Sequence, residues 1–97
     1  MSKLDPLIHQ ETRLRLMAVL VDADDGDWVS FVALKDELKL TDGNLGAQIQ
    51  KLEDAGYVKV KKTFVARRPR TLLQATSRGR AAFVAHREAL KEILGDA

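Results

Sequence analysis

Ninety-seven residues, 45% apolar and 31% charged, suffice for one folded domain with a modest core; they are too apolar for a disordered chain and too broken by charge for a membrane span. The absence of cysteine excludes disulfides and thiolate chemistry. The formal charge of +2 divides unevenly: residues 1–54 hold six basic and eleven acidic side chains, residues 55–97 ten basic and three acidic.

Asp5-Pro6 predicts a helix start, with Asp as N-cap and Pro at the first helical position. Leu7, Leu14, Met17, Ala18 and Val21 recur at helical spacing, with Leu16 and Leu20 beside them, an arc wide enough to pack on two sides. The acidic run Asp22, Asp24, Asp25 and Asp27 ends this helix. It lacks the Glu of a calcium-binding loop and reads as a solvated turn. Trp28-Val29 suits a short strand, and Ser30 a cap for a helix through Leu38 that buries Phe31, Leu34 and Leu38. Thr41 caps the next helix, Asp42 suits its positive end, and Leu45, Ile49 and Leu52 form its buried stripe. Ala55-Gly56 closes it with a left-handed glycine. Two helices joined by about three residues make a helix-turn-helix.

Residues 57–64 alternate like a strand, with Val58, Val60 and Phe64 inward and Lys59, Lys61 and Thr63 outward. Residues 65–70 read as a basic loop containing Pro69, and 71–75 as the returning strand. Thr76 caps a last helix whose apolar positions again exceed one face. The expected class is α+β, mainly α, with residues 1–97 forming one domain.

Function concentrates in the second half. From Ala55 to Arg87 there are nine Lys or Arg and no acid. Such a surface suits a polyanion, nucleic acid or an acidic membrane; a solvated basic face has the same composition. On the helix from Thr41, Gly43, Ala47, Gln50 and Lys51 point away from the apolar stripe, and Asn44 and Gln48 lie on its flank. Two interior glycines cost about 1 kcal/mol each against alanine. A bare, amide-bearing face lets a helix approach base edges, and an amide can pair with adenine. An amphipathic helix of poor propensity is the plainer alternative. Arg67-Arg68-Pro69-Arg70 places three guanidiniums at a hairpin tip, suited to phosphates or a narrow minor groove, or simply to solubility.

Residues 40–45 (Leu-Thr-Asp-Gly-Asn-Leu), 51–58 (Lys-Leu-Glu-Asp-Ala-Gly-Tyr-Val), 64–71 (Phe-Val-Ala-Arg-Arg-Pro-Arg-Thr) and Arg78-Gly79-Arg80 together resemble the small winged-helix DNA-binding domains related to the MarR and ArsR transcriptional regulators. Residues 4–9 and Arg13-Leu14-Arg15-Leu16 fit the first helix of that family. The resemblance spans essentially the whole chain and implies a winged helix-turn-helix in a homodimeric regulator bound to double-stranded DNA. The residues themselves show no Gly-rich phosphate loop and no Ser/His/Asp spacing, so no enzymatic activity and no cofactor are expected. The resemblance implies that the helix from Thr41 enters the major groove, with Thr41 and Asn44 matching the family's DNA-contact region; with the outward face of that helix, Thr41, Asp42, Gly43, Asn44, Ala47, Gln48 and Lys51 form the expected reading set. It also implies that residues 64–71 form the wing, with the Arg67-Arg68-Pro69-Arg70 tip in the DNA-contact region; Lys59, Lys61 and Lys62 of the preceding strand, with Arg67, Arg68, Arg70 and Thr71, are expected to contact or steer toward phosphates. Relatives tend to have serine and histidine where this chain has Gly46 and Gln48, so their operators do not transfer.

Leu7, Ile8, Leu16 and Leu20 of the first helix, with Phe83, Leu90, Ile93 and Leu94 of the last, are expected to form the dimer interface. A small-molecule effector pocket between these helices is an alternative use of the same surface, with no ligand indicated. His9 and His86 lie far apart in sequence with no neighbouring His or Cys, so no metal site is expected. Trp28 reads as a core or strand-edge anchor. The first nine residues lack a signal peptide's apolar stretch, and a cytoplasmic location without membrane contact is expected. A protein-interaction module whose basic hairpin meets an acidic partner is the competing reading. A single-strand or RNA binder is disfavoured by the near absence of exposed aromatics on the hairpin.

Overall fold

The computed structural model of the chain describes residues 4–95. Its elements follow as α1 (Glu11–Asp22), β1 (Val29–Ser30), α2 (Phe31–Leu38), α3 (Asp42–Asp54), β2 (Val58–Val65), β3 (Arg68–Ala75) and α4 (Ser77–Leu94). This is a winged helix-turn-helix: four helices and an antiparallel sheet of order β1-β3-β2, with the β2–β3 hairpin as the wing.

Local chemistry sets most boundaries. Ser30, Thr41 and Thr76 cap α2, α3 and α4, their hydroxyls accepting from the N–H of Ala33, Asn44 and Gly79 at 3.0, 3.1 and 2.9 Å. Each cap satisfies a donor the helix cannot, worth about 1 kcal/mol. Lys39, left-handed at φ 55°, ends α2, and Gly56 at φ 80° follows α3.

The start of the chain departs from expectation. Asp5 does cap, its Oδ1 accepting from the N–H of Leu7 and Ile8 at 2.9 and 3.3 Å. The helix it opens is a single turn. α1 begins anew at Glu11, capped by the Gln10 side chain, which accepts from Arg13 N–H at 3.0 Å. The break lets residues 4–9 fold as a strap that delivers Ile8 to the core, where it is fully buried.

Leu16, Met17 and Leu20 of α1 join Leu34, Leu45, Leu52 and Leu73 in one core. α1 packs against α2, α3, α4 and β3, which accounts for its wide apolar arc. This corrects the expectation for Ile8, Leu16 and Leu20: they are 0–1% exposed inside their own chain and have no surface to offer a second copy.

The wing also differs. The strands are longer than predicted and the turn is only Ala66-Arg67, both at positive φ (51° and 65°). Arg68, Pro69 and Arg70 therefore belong to β3, paired with Val65, Phe64 and Thr63. Pro69 is tolerated because antiparallel pairs alternate. The Val65↔Arg68 pair flanks the two-residue turn and exchanges hydrogen bonds, so at the next pair the missing N–H would point away from β2. On that other edge β1 reaches only Leu72 and Leu73. Phe64, expected inward, is 73% exposed, because its strand has by then run past the core.

α4 starts against the end of α3. Thr76 N–H donates to Tyr57 O at 3.0 Å, and its hydroxyl donates to Gly56 O at 2.6 Å. Gly79 makes this possible: a Cβ there would lie 2.8 Å from the Tyr57 carbonyl carbon and closer still to its oxygen.

Candidate nucleic-acid interface

α3 buries Leu45, Ile49 and Leu52 and exposes Thr41, Asp42, Gly43, Asn44, Ala47 and Lys51. A methyl group at Gly43 or Gly46 would have no atom within 4 Å, so the backbone there is open to close approach. The one acid at this end, Asp42, pairs with Lys35 Nζ at 2.9 Å. That hydrogen bond, with the attraction behind it, raises the Lys35 pKa above its usual 10.5. The start of α3 therefore presents its helix dipole to solvent with its acid already paired.

Gln48 is half-buried and held from behind. Arg13 of α1 donates from Nη1 to Gln48 Oε1 at 2.7 Å and from Nε to Leu7 O at 2.6 Å. Gln48 Nε2 in turn donates to Asn44 Oδ1 at 3.2 Å. Sequence reasoning placed Arg13 only within a helix and gave it no role. Its signal was its position one turn before Leu16 and Met17, a cation leading a buried stripe.

The hairpin distributes its cations over two faces. Lys62 and its partner Thr71 lie on the α3 side, lining a shallow groove with Gly46, Gln50 and Phe31. Lys59 and Lys61 are on the opposite face, their ammonium groups 5.6 and 4.8 Å from the centre of the Trp28 ring. Trp28, half-buried beside β1, thus anchors the strand edge and carries cations as well. Arg68 and Arg70 share the face of Lys59 and Lys61 by strand alternation, and Arg67 stands in the turn; all three arginines are exposed. The predicted wing set is therefore not one patch.

Behind the interface, the two histidines expected to be isolated are in contact. His9 Nδ1 lies 3.3 Å from His86 Nε2, and Asp5 N–H donates to His86 Nδ1 at 2.9 Å. A backbone N–H can only donate, so Nδ1 is the unprotonated nitrogen and Nε2 carries the proton toward His9. Tyr57 OH donates to Asp5 Oδ2 at 2.6 Å, which ties the strap to the end of α3 as well. His86 is 1% exposed, and this burial pushes its pKa below 6.5; His9 pushes the same way and Asp5 opposes. Partial burial works to raise the Asp5 pKa, but the Tyr57 hydroxyl, the Leu7 and Ile8 N–H groups and His86 together bring it below 3.8. The same Tyr57–Asp5 hydrogen bond, with burial, raises the Tyr57 pKa above 10. Among the described residues no group of three or more His, Cys, Asp or Glu is placed to hold a metal.

Arg80 is a second residue without a sequence-derived role. Its guanidinium donates to Val21 O at 3.1 Å and Ala23 O at 3.3 Å and lies 3.6 Å from Asp25, closing the C-terminal end of α1. Of the remaining predicted dimer residues, Leu7, Phe83 and Leu90 are half-buried, while Ile93 and Leu94 are 65% and 70% exposed. An open cleft of about 510 Å³ lies among α1, α2 and α4, lined by Val19, Val21 and Phe83 with Asp22, Glu37 and Arg87. No helix among the described residues is long and apolar enough to cross a membrane.

The sequence matches a family described as a winged helix DNA-binding domain over residues 12–94. It is 35% identical over 77 residues to an uncharacterized protein of Methanocaldococcus jannaschii, covering 79% of this chain and 80% of that protein. The structure is similar to that of a transcriptional regulator homologue from Pyrococcus horikoshii OT3, with a TM-score of 0.82 and 30% identity, covering 93% of this chain and 86% of that one. HlyU from Vibrio cholerae (19% identity, 90% and 83% covered) and FabT from Streptococcus pneumoniae, solved in complex with DNA (20% identity, 93% and 64% covered), share the fold at a TM-score of 0.61.

Proposed function

The chain belongs to the winged helix DNA-binding domain family, a DNA-binding and not an enzyme family, and from that premise we propose that it is a dimeric, sequence-specific transcriptional regulator acting as a repressor. The observation that carries this reading is the exposed face of α3: bare at Gly43 and Ala47, amide-bearing at Asn44, with its acid Asp42 paired to Lys35. Such a face can sit in a major groove with base edges in reach and a phosphate at the helix start. In this reading Thr41, Asn44 and Lys51 face the groove, and Lys62, Thr71 and Arg67 follow the adjoining backbone. Arg68, Arg70, Lys59 and Lys61, on the far face of the hairpin, steer the approach and meet phosphates where the duplex curves around the wing. The similar Pyrococcus protein, a transcriptional regulator homologue, supports the regulatory role.

Dimerisation uses the end of α4, where Ile93 and Leu94 are exposed and Leu90, one turn before, is half-buried; Phe83 further up α4 and Leu7 of the strap are half-buried as well. A two-fold pair presents two reading helices to half-sites about one turn, roughly 34 Å, apart. Occupancy of those grooves excludes other proteins, and repression follows.

Duplex binding measured by anisotropy at several salt concentrations tests this. With three to five phosphates neutralised per protomer, log affinity falls against log salt with a slope of about −5 to −9 for a dimer. Arg67→Ala lowers the magnitude of the slope by roughly one per protomer and weakens all duplexes alike. A slope near zero, or no duplex binding at low salt together with a discrete acidic protein partner, overturns the proposal.

A further inference from the structure

We propose that Arg13, a residue of α1, sets the base preference of α3: by holding Gln48 it turns Asn44 into a hydrogen-bond donor, so that the helix takes guanine where an unrestrained asparagine would take adenine. The inference rests on the reading of α3 as the helix that enters the major groove.

The orientation of each amide follows from the donors behind it. Arginine has donors only, so the Gln48 atom 2.7 Å from Arg13 Nη1 must be the carbonyl oxygen. The Gln48 NH2 group then faces Asn44, and only the Asn44 oxygen can accept from it, at 3.2 Å. Asn44 is left with its NH2 group unengaged and with an oxygen that already accepts one hydrogen bond. Turning Asn44 over would place two NH2 groups against each other.

The first link is the strong one. It is charge-assisted and partly buried, and Arg13 is anchored at its other end by the Leu7 carbonyl at 2.6 Å. Gln48 is thereby fixed, and its grip on Asn44 is renewed whenever the exposed Asn44 side chain moves. The flank of α3 that carries Asn44 thus presents donors, in line with the positive end of the helix dipole.

Bases in the major groove sort accordingly. Guanine shows two neighbouring acceptors, O6 and N7. Adenine shows one acceptor and one donor, and cytosine a donor. Bidentate pairing of asparagine with adenine would require the same oxygen to accept a second hydrogen bond beside the one from Gln48, whereas guanine calls only on the NH2 group.

Selection of sites from random duplexes, run in parallel with the wild type, Asn44→Ala, Arg13→Met and Gln48→Glu, tests the proposal. Asn44→Ala identifies the dependent position as the one whose preference flattens. The wild type is expected to select guanine there over adenine by about tenfold or more, the scale of one good base contact. Arg13→Met lets Asn44 turn and brings the guanine-to-adenine ratio toward or below unity. Gln48→Glu keeps an acceptor for Arg13 and requires Asn44 to donate inward, which turns its oxygen out and shifts the preference to a base offering an NH2 group. That reversal is not produced by loss of packing, and it needs no change at Arg13 if Arg13→Met folds poorly. Selection of adenine by the wild type, or of the same base by wild type and Gln48→Glu, overturns the role of Arg13 and leaves duplex recognition standing. Failure of the wild type to enrich any duplex overturns the underlying reading and this inference with it.

Discussion

Replacing Gly79 by alanine should destabilise the protein, although alanine is the better helix former. Gly79 is the third residue of α4, and at an open helix interior the exchange would gain about 1 kcal/mol. Here the added Cβ would lie 2.8 Å from the Tyr57 carbonyl carbon, 3.0 Å from its Cα and closer still to its oxygen. Backbone cannot swing aside like the end of a side chain, so the start of α4 must retreat. That strains both Thr76 hydrogen bonds, to Tyr57 O at 3.0 Å and Gly56 O at 2.6 Å. Overpacking of this kind costs about 1–3 kcal/mol and a lost hydrogen bond about 1 kcal/mol more, against the propensity gain of similar size. The net is a loss of about 1–3 kcal/mol, a fall in Tm of roughly 5–20 °C for a domain of this length. Gly46→Ala is the internal control: its methyl meets nothing within 4 Å and should raise stability by up to about 1 kcal/mol. Urea denaturation at equal m-values measures both. A Gly79→Ala protein as stable as the wild type would refute the close-approach account.

Ala66→Gly should stabilise the protein by about 1 kcal/mol, because Ala66 sits at φ 51° where a Cβ is penalised; a lower urea midpoint would count against the turn geometry. Stability should also fall as pH drops below 6.5. Unfolded His86 takes up a proton before folded His86 does, so the unfolded state binds more protons and gains population. The loss continues below 3.8, as Asp5 must be protonated, and a separate loss appears above pH 10, where unfolded Tyr57 ionises first. Urea midpoints from pH 8 to 5 check the histidine contribution, and His86→Gln should flatten that slope. Replacing Ile93 and Leu94 together by lysine should convert dimer to monomer in sedimentation without unfolding it, whereas Leu16→Lys should unfold it, since Leu16 is fully buried. A wild-type monomer at tens of micromolar would remove the dimer from the account.

The features legible in the sequence are those set by neighbours in the chain. Ser30, Thr41 and Thr76 announce helix starts because the capping hydroxyl and its N–H are three residues apart. The stripe Leu45, Ile49 and Leu52 announces α3 in the same way. The wing turn is not legible because its left-handed residues are Ala66 and Arg67, where such turns ordinarily show Asn-Gly. The opening helix reads as continuous because Asp5 caps a real turn and nothing local marks the break before Gln10. Long-range pairings left no trace at all. Asp5 with His86 is 81 positions apart, His9 with His86 is 77, and Arg13 with Gln48 is 35. The dimer residues show the same limit: a wide apolar arc on α1 says that two sides are covered, and only the packing says that both covers come from its own chain.

Everything proposed for DNA recognition depends on α3 lying in the major groove. Methylation interference on a duplex selected by the wild type tests it most directly, because guanine N7 projects into the major groove and adenine N3 into the minor. With α3 in the groove, interference falls at guanine N7 in two clusters about one helical turn apart, and is lost for one guanine per half-site in Asn44→Ala. Interference confined to adenine N3, or none at any purine, would contradict it.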